Sequence, residues 1–246
     1  MKKLHSWNLS YQQATDLQKR LACKVRHTPL KTMPGTVAGI DCAFSRDGQK
    51  VLAAVVVLKF DNLEVVETAD ATRKLTFPYI PGLLSFREAP VCLAAVEKLA
   101  KQPDVFIIDG QGIAHPRRLG LAAHLGLFFN KPTIGCAKSR LIGQFEEPPK
   151  EKGRHSLLTD SLCTKRRANH EQQAASNETI GAVLRTRTNV KPVFVSVGHK
   201  CLLEDAIRIT LACATKYRLP EPTRLADRAA AGPVEDVEPA RAGREA

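Results

Sequence analysis

Apolar and polar residues follow one another in patterns that divide the chain into a helix, a group of strands, and then helices and strands in alternation. Residues 8–25 repeat apolar positions at helical spacing, which predicts a helix that packs outside a sheet. Three segments with strand character follow, separated by turn residues such as Arg46-Asp47-Gly48 and Asp61-Asn62. We interpret these segments, residues 37–44, 51–60 and 63–73, as an antiparallel meander.

The second half of the chain alternates helices with strands around one short apolar run. Val105-Phe106-Ile107-Ile108 predicts a strand buried on both faces, and the glycines after Asp109 predict a sharp turn. The other predicted elements are helices at residues 86–101 with Ser85 as the cap, 116–127 with Pro116 in the first turn, and 203–217, and strands at residues 133–137, 180–187 and 192–197. This order predicts an α/β fold with a mixed sheet covered by helices. It resembles the ribonuclease H-like fold, whose first and fourth strands are neighbours.

The length and composition are typical of one domain with one core, since the chain has 246 residues and is 43% hydrophobic. We expect this domain to span residues 1–227. Residues 146–177 are polar and without periodicity, which predicts a long surface excursion outside the site. Residues 228–246 are rich in Ala, Gly, Pro and charge, which predicts a disordered tail.

The charge of the chain points to a polyanionic partner. The net charge is +12 and the isoelectric point is near 9.5, as in many proteins that bind nucleic acid. No apolar run reaches the length of a membrane span, and no apolar core follows Lys2-Lys3, so we expect no membrane segment and no secretory signal. Seven scattered cysteines without a Cys-x-x-Cys pair argue against a disulfide framework or a zinc site and favour the cytoplasm.

Two acidic residues lie in predicted buried strands. Asp109 ends the apolar run of residues 105–108, and Asp41 lies in the first strand of the meander. A buried carboxylate is costly unless it is paired or bound to a cation. Side by side, Asp41 and Asp109 could be ligands of a hard divalent ion. Alternatively, each acid caps the turn that follows it.

Three further residues could join that pair, and each has a simpler alternative. Glu88 could add a third carboxylate to a magnesium site, or it could be a solvated acid near a helix start. His115 could contact a phosphate or a leaving group, or it could be structural. Lys138 could neutralise a scissile phosphate, or it could be a solvated residue at a strand end.

Long motifs around these residues resemble the endonuclease V family, and the match runs from about residue 37 to residue 230. The motifs are Pro78-Tyr79-Ile80-Pro81-Gly82-Leu83-Leu84-Ser85-Phe86-Arg87-Glu88, Asp109-Gly110-Gln111-Gly112-Ile113-Ala114-His115-Pro116-Arg117-Arg118-Leu119-Gly120, Pro132-Thr133-Ile134-Gly135-Cys136-Ala137-Lys138 and Arg218-Leu219-Pro220-Glu221-Pro222-Thr223-Arg224-Leu225-Ala226-Asp227. Gln111 departs from the His or Asn expected there, which could change hydrogen bonds around the metal site but not the ligands.

The resemblance implies a set of site residues. Catalytic roles fall on Asp41, Glu88, Asp109, His115, Lys138 and Asp227. Asp41 and Asp109 would be the main ligands of Mg²⁺, completed by Glu88, and Mn²⁺ would be able to substitute. The ring of Tyr79 would push between bases at a lesion, unless it merely packs under its loop. The other expected contacts to DNA are Pro78, Ile80, Pro81, Gly82, Leu84, Gly112, Ile113, Arg117, Arg118 and Arg140, with backbone groups near residues 82–84, 112 and 113 reading the hypoxanthine edge.

The resemblance also implies an activity. The family nicks DNA near hypoxanthine at the second phosphodiester bond on the 3′ side, by magnesium-assisted hydrolysis that leaves 3′-hydroxyl and 5′-phosphate ends. One alternative is an endonuclease for inosine-containing RNA. The other is a binding module for unusual nucleic acid structures that does not cut. We expect a monomer that acts on damaged DNA.

Overall fold

The computed structural model describes residues 4–161, 177–232 and 237–239. The helices are α1 Tyr11–Ala22, α2 Leu84–Val96, α3 Leu121–Phe129, α4 Leu203–Ala212 and α5 Glu221–Ala230. The strands are β1 Thr36–Ser45, β2 Lys50–Lys59, β3 Val65–Lys74, β4 Val105–Ile108, β5 Thr133–Ala137, β6 His155–Ser161, β7 Asn177–Leu184, β8 Val193–His199 and β9 Val237–Pro239. No helix in these residues is long and apolar enough to cross a membrane.

The strands form one mixed sheet in the order β3-β2-β1-β4-β5-β8-β7-β6, and the short β9 pairs with the end of β1. Strands β1 to β3 are the predicted antiparallel meander, and β4 and β5 run parallel to β1. Strands β1 and β4 are neighbours, which confirms the ribonuclease H-like order. Ile40 pairs with Ile108, and the backbone N–H of Asp109 donates to the carbonyl of Ile40 at 3.0 Å. The register therefore places Asp41 beside Asp109.

Helices cover both faces of the sheet. Helices α2 and α3 pack on one face against apolar residues of β1, β2 and β4, with Ile40, Phe106 and Ile108 fully buried there. Helices α4 and α5 pack on the other face, where Val37, Ile107 and Cys136 lie. Since side chains alternate along a strand, Asp41, Asp109 and Lys138 point toward the α5 side.

A glycine in β1 lets α5 lie directly on the sheet. A Cβ atom at Gly39 would come within 1.9 Å of the carbonyl oxygen of Pro222, in the first turn of α5. Only a residue without a side chain fits this approach. The close packing brings Asp227, farther along α5, to the strand that carries Asp41.

Several predicted helix limits were wrong. Ser85 is not a cap but lies inside α2, where its hydroxyl is 3.1 Å from Nδ1 of His124. The helix predicted from residue 116 begins at Leu121, because the chain before it forms a loop closed by the N–H of Gly120 on the carbonyl of Gly112. The helix predicted to residue 217 ends at Ala212, and the helical nature of α5 was missed.

The polar segment at residues 146–177 is more ordered than predicted where the structure describes it. It contains β6, which pairs with β7 along its whole length. The loop before β6 is fastened by Arg185, a buried residue whose guanidinium donates to the carbonyls of Pro148, Pro149 and Val190. The periodicity of the segment does not reveal this order, because the polar anchor of the loop is Arg185, the residue after β7. Residues 162–176 lie outside the described residues.

The predicted disordered tail was wrong at its start. Helix α5 continues to Ala230, and Val237–Pro239 forms β9 beside β1. The remainder of residues 233–246 lies outside the described residues. The limits of the single domain stay a prediction.

Candidate active site

Three carboxylates meet near the middle of the sheet, beside the carboxyl end of β4, and we call them the carboxylate cluster. Asp41 comes from β1, Asp109 follows β4 and Asp227 comes from α5, and one ligand oxygen from each lies within 4.8 Å of the others. Their side chains are 10%, 16% and 36% exposed, respectively. The cluster is therefore sheltered from water but open on the side of Asp227.

Lys138 lies among these carboxylates. Its Nζ is 2.6 Å from Oδ2 of Asp109, 3.1 Å from Oδ1 of Asp227 and 3.8 Å from Oδ2 of Asp41. Although burial opposes its charge, Asp109 and Asp41 raise the pKa of Lys138 well above its usual range, so the ammonium stays charged. Lys138 thus partly balances the negative charge of the cluster.

The cluster still carries excess negative charge. Burial and the nearby charge of Asp109 raise the pKa of Asp41 well above its ordinary value, although Lys138 and the N–H of Cys42, which donates to Oδ1 at 2.7 Å, oppose the shift. Several carboxylate oxygens at one point match the donor set that hard divalent cations prefer. The residues therefore fit a divalent metal ion.

Glu88 approaches the cluster from the other side. It lies on α2, is 5% exposed, and its pKa is raised to about 8 by burial and by the charge of Asp109. It is not one of the three carboxylates that lie within reach of one another in the described residues. The third carboxylate beside Asp41 and Asp109 is Asp227, which was predicted as a catalytic residue. A metal contact by Glu88 remains a prediction.

The loop of residues 78–82, which we call the Tyr79 loop, presents its side chains to solvent. The ring of Tyr79 is 59% exposed, and Leu84, just after the loop, is 38% exposed. Pro78 and Pro81 are also exposed, whereas Ile80 is half-buried. A ring with this exposure does not pack under its loop. It is free to meet a large partner.

His115 is hydrogen-bonded to the Tyr79 loop. Its Nδ1 accepts from the N–H of Arg117 at 3.1 Å, so Nε2 carries the proton and donates to the carbonyl of Gly82 at 3.0 Å. Burial, followed by the charge of Arg117, lowers the pKa of His115 to about 4, so the ring is neutral. Both nitrogens are engaged within the protein, and the contact of His115 with a phosphate or a leaving group stays a prediction.

Two of the three arginines predicted to contact DNA have different surroundings. Arg118, in the left-handed region at φ 55°, has its guanidinium 2.9 Å from Asp160 and 2.8 Å from Glu178. These ion pairs make Arg118 a link to the β6–β7 hairpin rather than a free cation. Arg140 is exposed and donates to the carbonyl of Gly143 at 3.0 Å. Of the two, Arg140 is the better placed for a phosphate.

Backbone groups expected to read a base are partly used within the protein. The N–H of Gly112 donates to Oγ of Ser196 at 2.8 Å, and the N–H of Ile113 donates to the carbonyl of Val197 at 2.8 Å. These two donors fasten the loop after β4 to β8 and are not available to a base. The carbonyl of Gly82 is likewise engaged by His115 and by Nη2 of Arg117 at 2.7 Å.

Gln111 connects the ends of β4 and β5. Its Nε2 donates to the carbonyl of Ser139 at 3.0 Å, next to Lys138. Its buried Oε1 has no hydrogen-bond partner within the described part of the chain. Gln111 therefore positions the residue after Lys138. That it leaves the metal ligands unchanged stays a prediction.

Comparisons with known proteins agree on one family. The model of the family described as Endonuclease V matches residues 19–228. The Endonuclease V of Trichormus variabilis is 50% identical over 227 residues, covering 92% of this chain and 96% of its own.

Solved structures with this name are also similar. The Endonuclease V of Streptomyces avermitilis has a TM-score of 0.81 at 40% identity and covers 92% of this chain and 93% of its own. The Endonuclease V of Ciona intestinalis has a TM-score of 0.70 at 30% identity and covers 87% of this chain and 93% of its own. That structure contains a 24mer DNA with an inosine followed by a ribo-adenosine.

Proposed function

Since the chain belongs to the endonuclease V family and is an endonuclease, we propose that it recognises hypoxanthine in DNA and hydrolyses the second phosphodiester bond on its 3′ side. The products would be 3′-hydroxyl and 5′-phosphate ends. The observation that carries this proposal is the carboxylate cluster of Asp41, Asp109 and Asp227 around Lys138. A protein that only binds nucleic acid gains nothing from sheltered carboxylates next to phosphates, because they repel the backbone.

The metal at this cluster is proposed to be Mg²⁺, with Mn²⁺ able to substitute. Asp41, Asp109 and Asp227 would hold it, and Glu88 would approach from α2. When bound, such an ion activates water and stabilises the charge of the phosphate and the departing oxygen. Lys138, still charged because of its carboxylate neighbours, adds positive charge where the phosphate arrives.

The Tyr79 loop supports the proposed recognition of a lesion. An exposed aromatic ring between two prolines has little conformational freedom to lose when it contacts a base. Stacking of such a ring contributes about 1–3 kcal/mol per base, enough to replace the stacking of a base that leaves the helix. The Ciona intestinalis relative in complex with inosine-containing DNA agrees with this assignment.

A second substrate is RNA that contains inosine. It is favoured by one observation, that the DNA bound to the Ciona intestinalis relative carries a ribonucleotide directly after the inosine. A site that accepts a 2′-hydroxyl at that position could accept RNA.

The test is a cleavage comparison on matched DNA and RNA strands, each with inosine or adenosine at one position, with Mg²⁺ added in steps. We expect magnesium-dependent cuts at the second bond 3′ to inosine in DNA and none at the matched adenosine. Binding without cleavage at any magnesium concentration would contradict the assignment as a nuclease. Faster cleavage of the RNA strand would favour the second substrate.

A further inference from the structure

The Tyr79 loop is held by a residue that belongs to none of the site motifs. Gln18 lies on α1, more than sixty positions before Gly82 in the chain, and its side chain is fully buried. Its Nε2 donates to the carbonyl of Gly82 at 3.0 Å. Together with His115 and Arg117, Gln18 gives this one carbonyl three side-chain donors.

The amide of Gln18 connects two more groups. Nε2 also donates to the carbonyl of Leu119 at 3.1 Å, and Oε1 accepts from Nε of Arg117 at 2.5 Å. Both ends of the amide are therefore used, which a buried polar group requires. One side chain thus joins α1, the Tyr79 loop and the turn that contains Arg117.

Helix α1 also supports the loop through apolar contacts. Leu17 and Leu21 of α1 belong to the same buried cluster as Phe77 and Leu83, which flank the loop on either side. Gly82 itself is at φ 75°, and a Cβ atom there would lie 2.7 Å from Nη2 of Arg117. The direction of the Gly82 carbonyl is therefore fixed by its contacts with Gln18 of α1 and with Arg117.

We propose that Gln18 is a positioning residue for lesion recognition, which holds the Gly82 carbonyl and the Arg117 guanidinium so that the ring of Tyr79 keeps the orientation needed at the lesion. This inference rests on the proposed function. Gln18 touches neither the carboxylate cluster nor Lys138 in the hydrogen bonds and ion pairs of the described residues. Its loss should therefore change the recognition of inosine and leave the hydrolytic step nearly unchanged.

Two substitutions separate the contacts of Gln18. Gln18→Glu keeps an acceptor for Arg117 but replaces both donors with oxygens that face the carbonyls of Gly82 and Leu119. Gln18→Leu removes all three hydrogen bonds at similar volume. The matched control is Gln12→Leu on the exposed side of α1, where the side chain contacts Asp16.

The measurement is single-turnover cleavage of inosine-containing and inosine-free duplexes over a range of enzyme concentrations with Mg²⁺. For both Gln18 variants we expect the enzyme concentration at half-maximal rate on inosine DNA to rise about tenfold, the size expected when a hydrogen bond to the loop is lost. The maximal rate should stay within about twofold of the wild type. Gln12→Leu should match the wild type in both quantities.

Hydrogen exchange of the same proteins reports on the loop directly. The N–H of Leu83 donates to the carbonyl of Ile80 at 2.9 Å, so its exchange depends on the fold of the loop. We expect faster exchange at Leu83 in both Gln18 variants and no change in Gln12→Leu.

The outcomes separate this inference from the proposed function. Gln18 variants that lose thermal stability but keep the wild-type preference for inosine and slow exchange at Leu83 would show that Gln18 only attaches α1, which overturns the inference. If Gln18→Leu does not fold, Gln18→Glu decides, since it keeps the Arg117 contact. A wild type without preference for inosine would instead contradict the proposed function, and exchange at Leu83 would still decide whether Gln18 fixes the loop.

Discussion

The carboxylate cluster and the Tyr79 loop are built in different ways. The cluster depends on backbone pairing, because β1 and β4 are neighbours in register and α5 lies directly on Gly39. The loop depends on side chains, because its direction is set by three donors from two other segments onto one carbonyl. The first arrangement follows from the fold, whereas the second follows from a few particular residues.

The two regions also differ in exposure and charge. Asp41 and Asp109 are sheltered acids in a cluster of three carboxylates around one lysine, whereas the ring of Tyr79 is neutral and 59% exposed. A sheltered carboxylate suits a small cation, and an exposed ring suits a large flat partner. We therefore expect substitutions in the cluster to change cutting and substitutions in the loop to change recognition.

The largest effect is expected from the cluster. Asp41→Ala and Asp109→Ala each remove a ligand oxygen, so each should lower the cleavage rate by a factor of about 1,000 or more, several kcal/mol of transition-state stabilisation. The preference for binding inosine DNA should remain, since the Tyr79 loop is untouched. Rates measured at saturating Mg²⁺, with Asp61→Ala in an exposed turn as the control, check this. A near wild-type rate in either variant would rule out the metal assignment.

The difference between the regions explains how much could be predicted from sequence. The adjacency of Asp41 and Asp109 was predictable. An antiparallel meander followed by a short apolar run that ends at Asp109 matches the ribonuclease H-like order, in which the first and fourth strands are neighbours. The placement of Asp227 followed from a motif alone. The buried positions of α5, such as Thr223, Ala226 and Ala230, are small or polar residues, so the helix was overlooked.

The contacts around the Tyr79 loop leave less signal in the sequence. Arg118 was assigned to DNA because its charge is visible in the sequence, while its carboxylate partners lie 42 and 60 positions away. Gln18 was missed because a neutral residue suggests no chemistry. Its one signal is that it is a polar residue next to the apolar side formed by Ala14, Leu17 and Leu21.

The second prediction concerns the ring of Tyr79. Tyr79→Ala should lose about 1–3 kcal/mol of the binding preference for inosine over undamaged DNA, and Tyr79→Phe and Tyr79→Trp should restore most of it, because stacking needs a flat ring. Binding titrations with both duplexes measure this. Tyr11→Ala, which removes a ring of 55% exposure from α1, is the control. An unchanged preference in Tyr79→Ala would show that the ring has no part in recognition.

The third prediction is that the two regions respond to pH in opposite directions in the metal-free protein. Glu88 keeps its proton in the native state up to about pH 8, whereas the unfolded chain loses it near 4.5. The native state thus binds more protons in that range, so this contribution to the free energy of unfolding falls as pH rises. His115 is the reverse, since its native pKa is about 4 and its unfolded value is 6.5, so its contribution is lost as pH falls from 6.5.

At pH 5, the His115 contribution lowers the free energy of unfolding by at most about 2 kcal/mol. Glu88→Gln should reduce the loss of stability between pH 4.5 and about pH 8, and His115→Asn should reduce the loss in acid. Urea unfolding between pH 4 and pH 9 without divalent ions measures both slopes. The same slopes in wild type and variants would show that neither group titrates as its surroundings require.

The smallest effect is expected at Arg118 and Arg140, which differ in whether the guanidinium is already paired within the protein. Arg140 is exposed, so a phosphate contact there would contribute about 0.9 to the slope of log affinity against log salt concentration. Arg140→Ala should lower the magnitude of that slope by about this amount. Arg118 is already paired with Asp160 and Glu178, so Arg118→Ala should leave the slope unchanged and lower the melting temperature instead. Binding of undamaged DNA at several salt concentrations measures both slopes. A slope of clearly smaller magnitude in Arg118→Ala would mean that the guanidinium of Arg118 leaves these carboxylates and binds the nucleic acid.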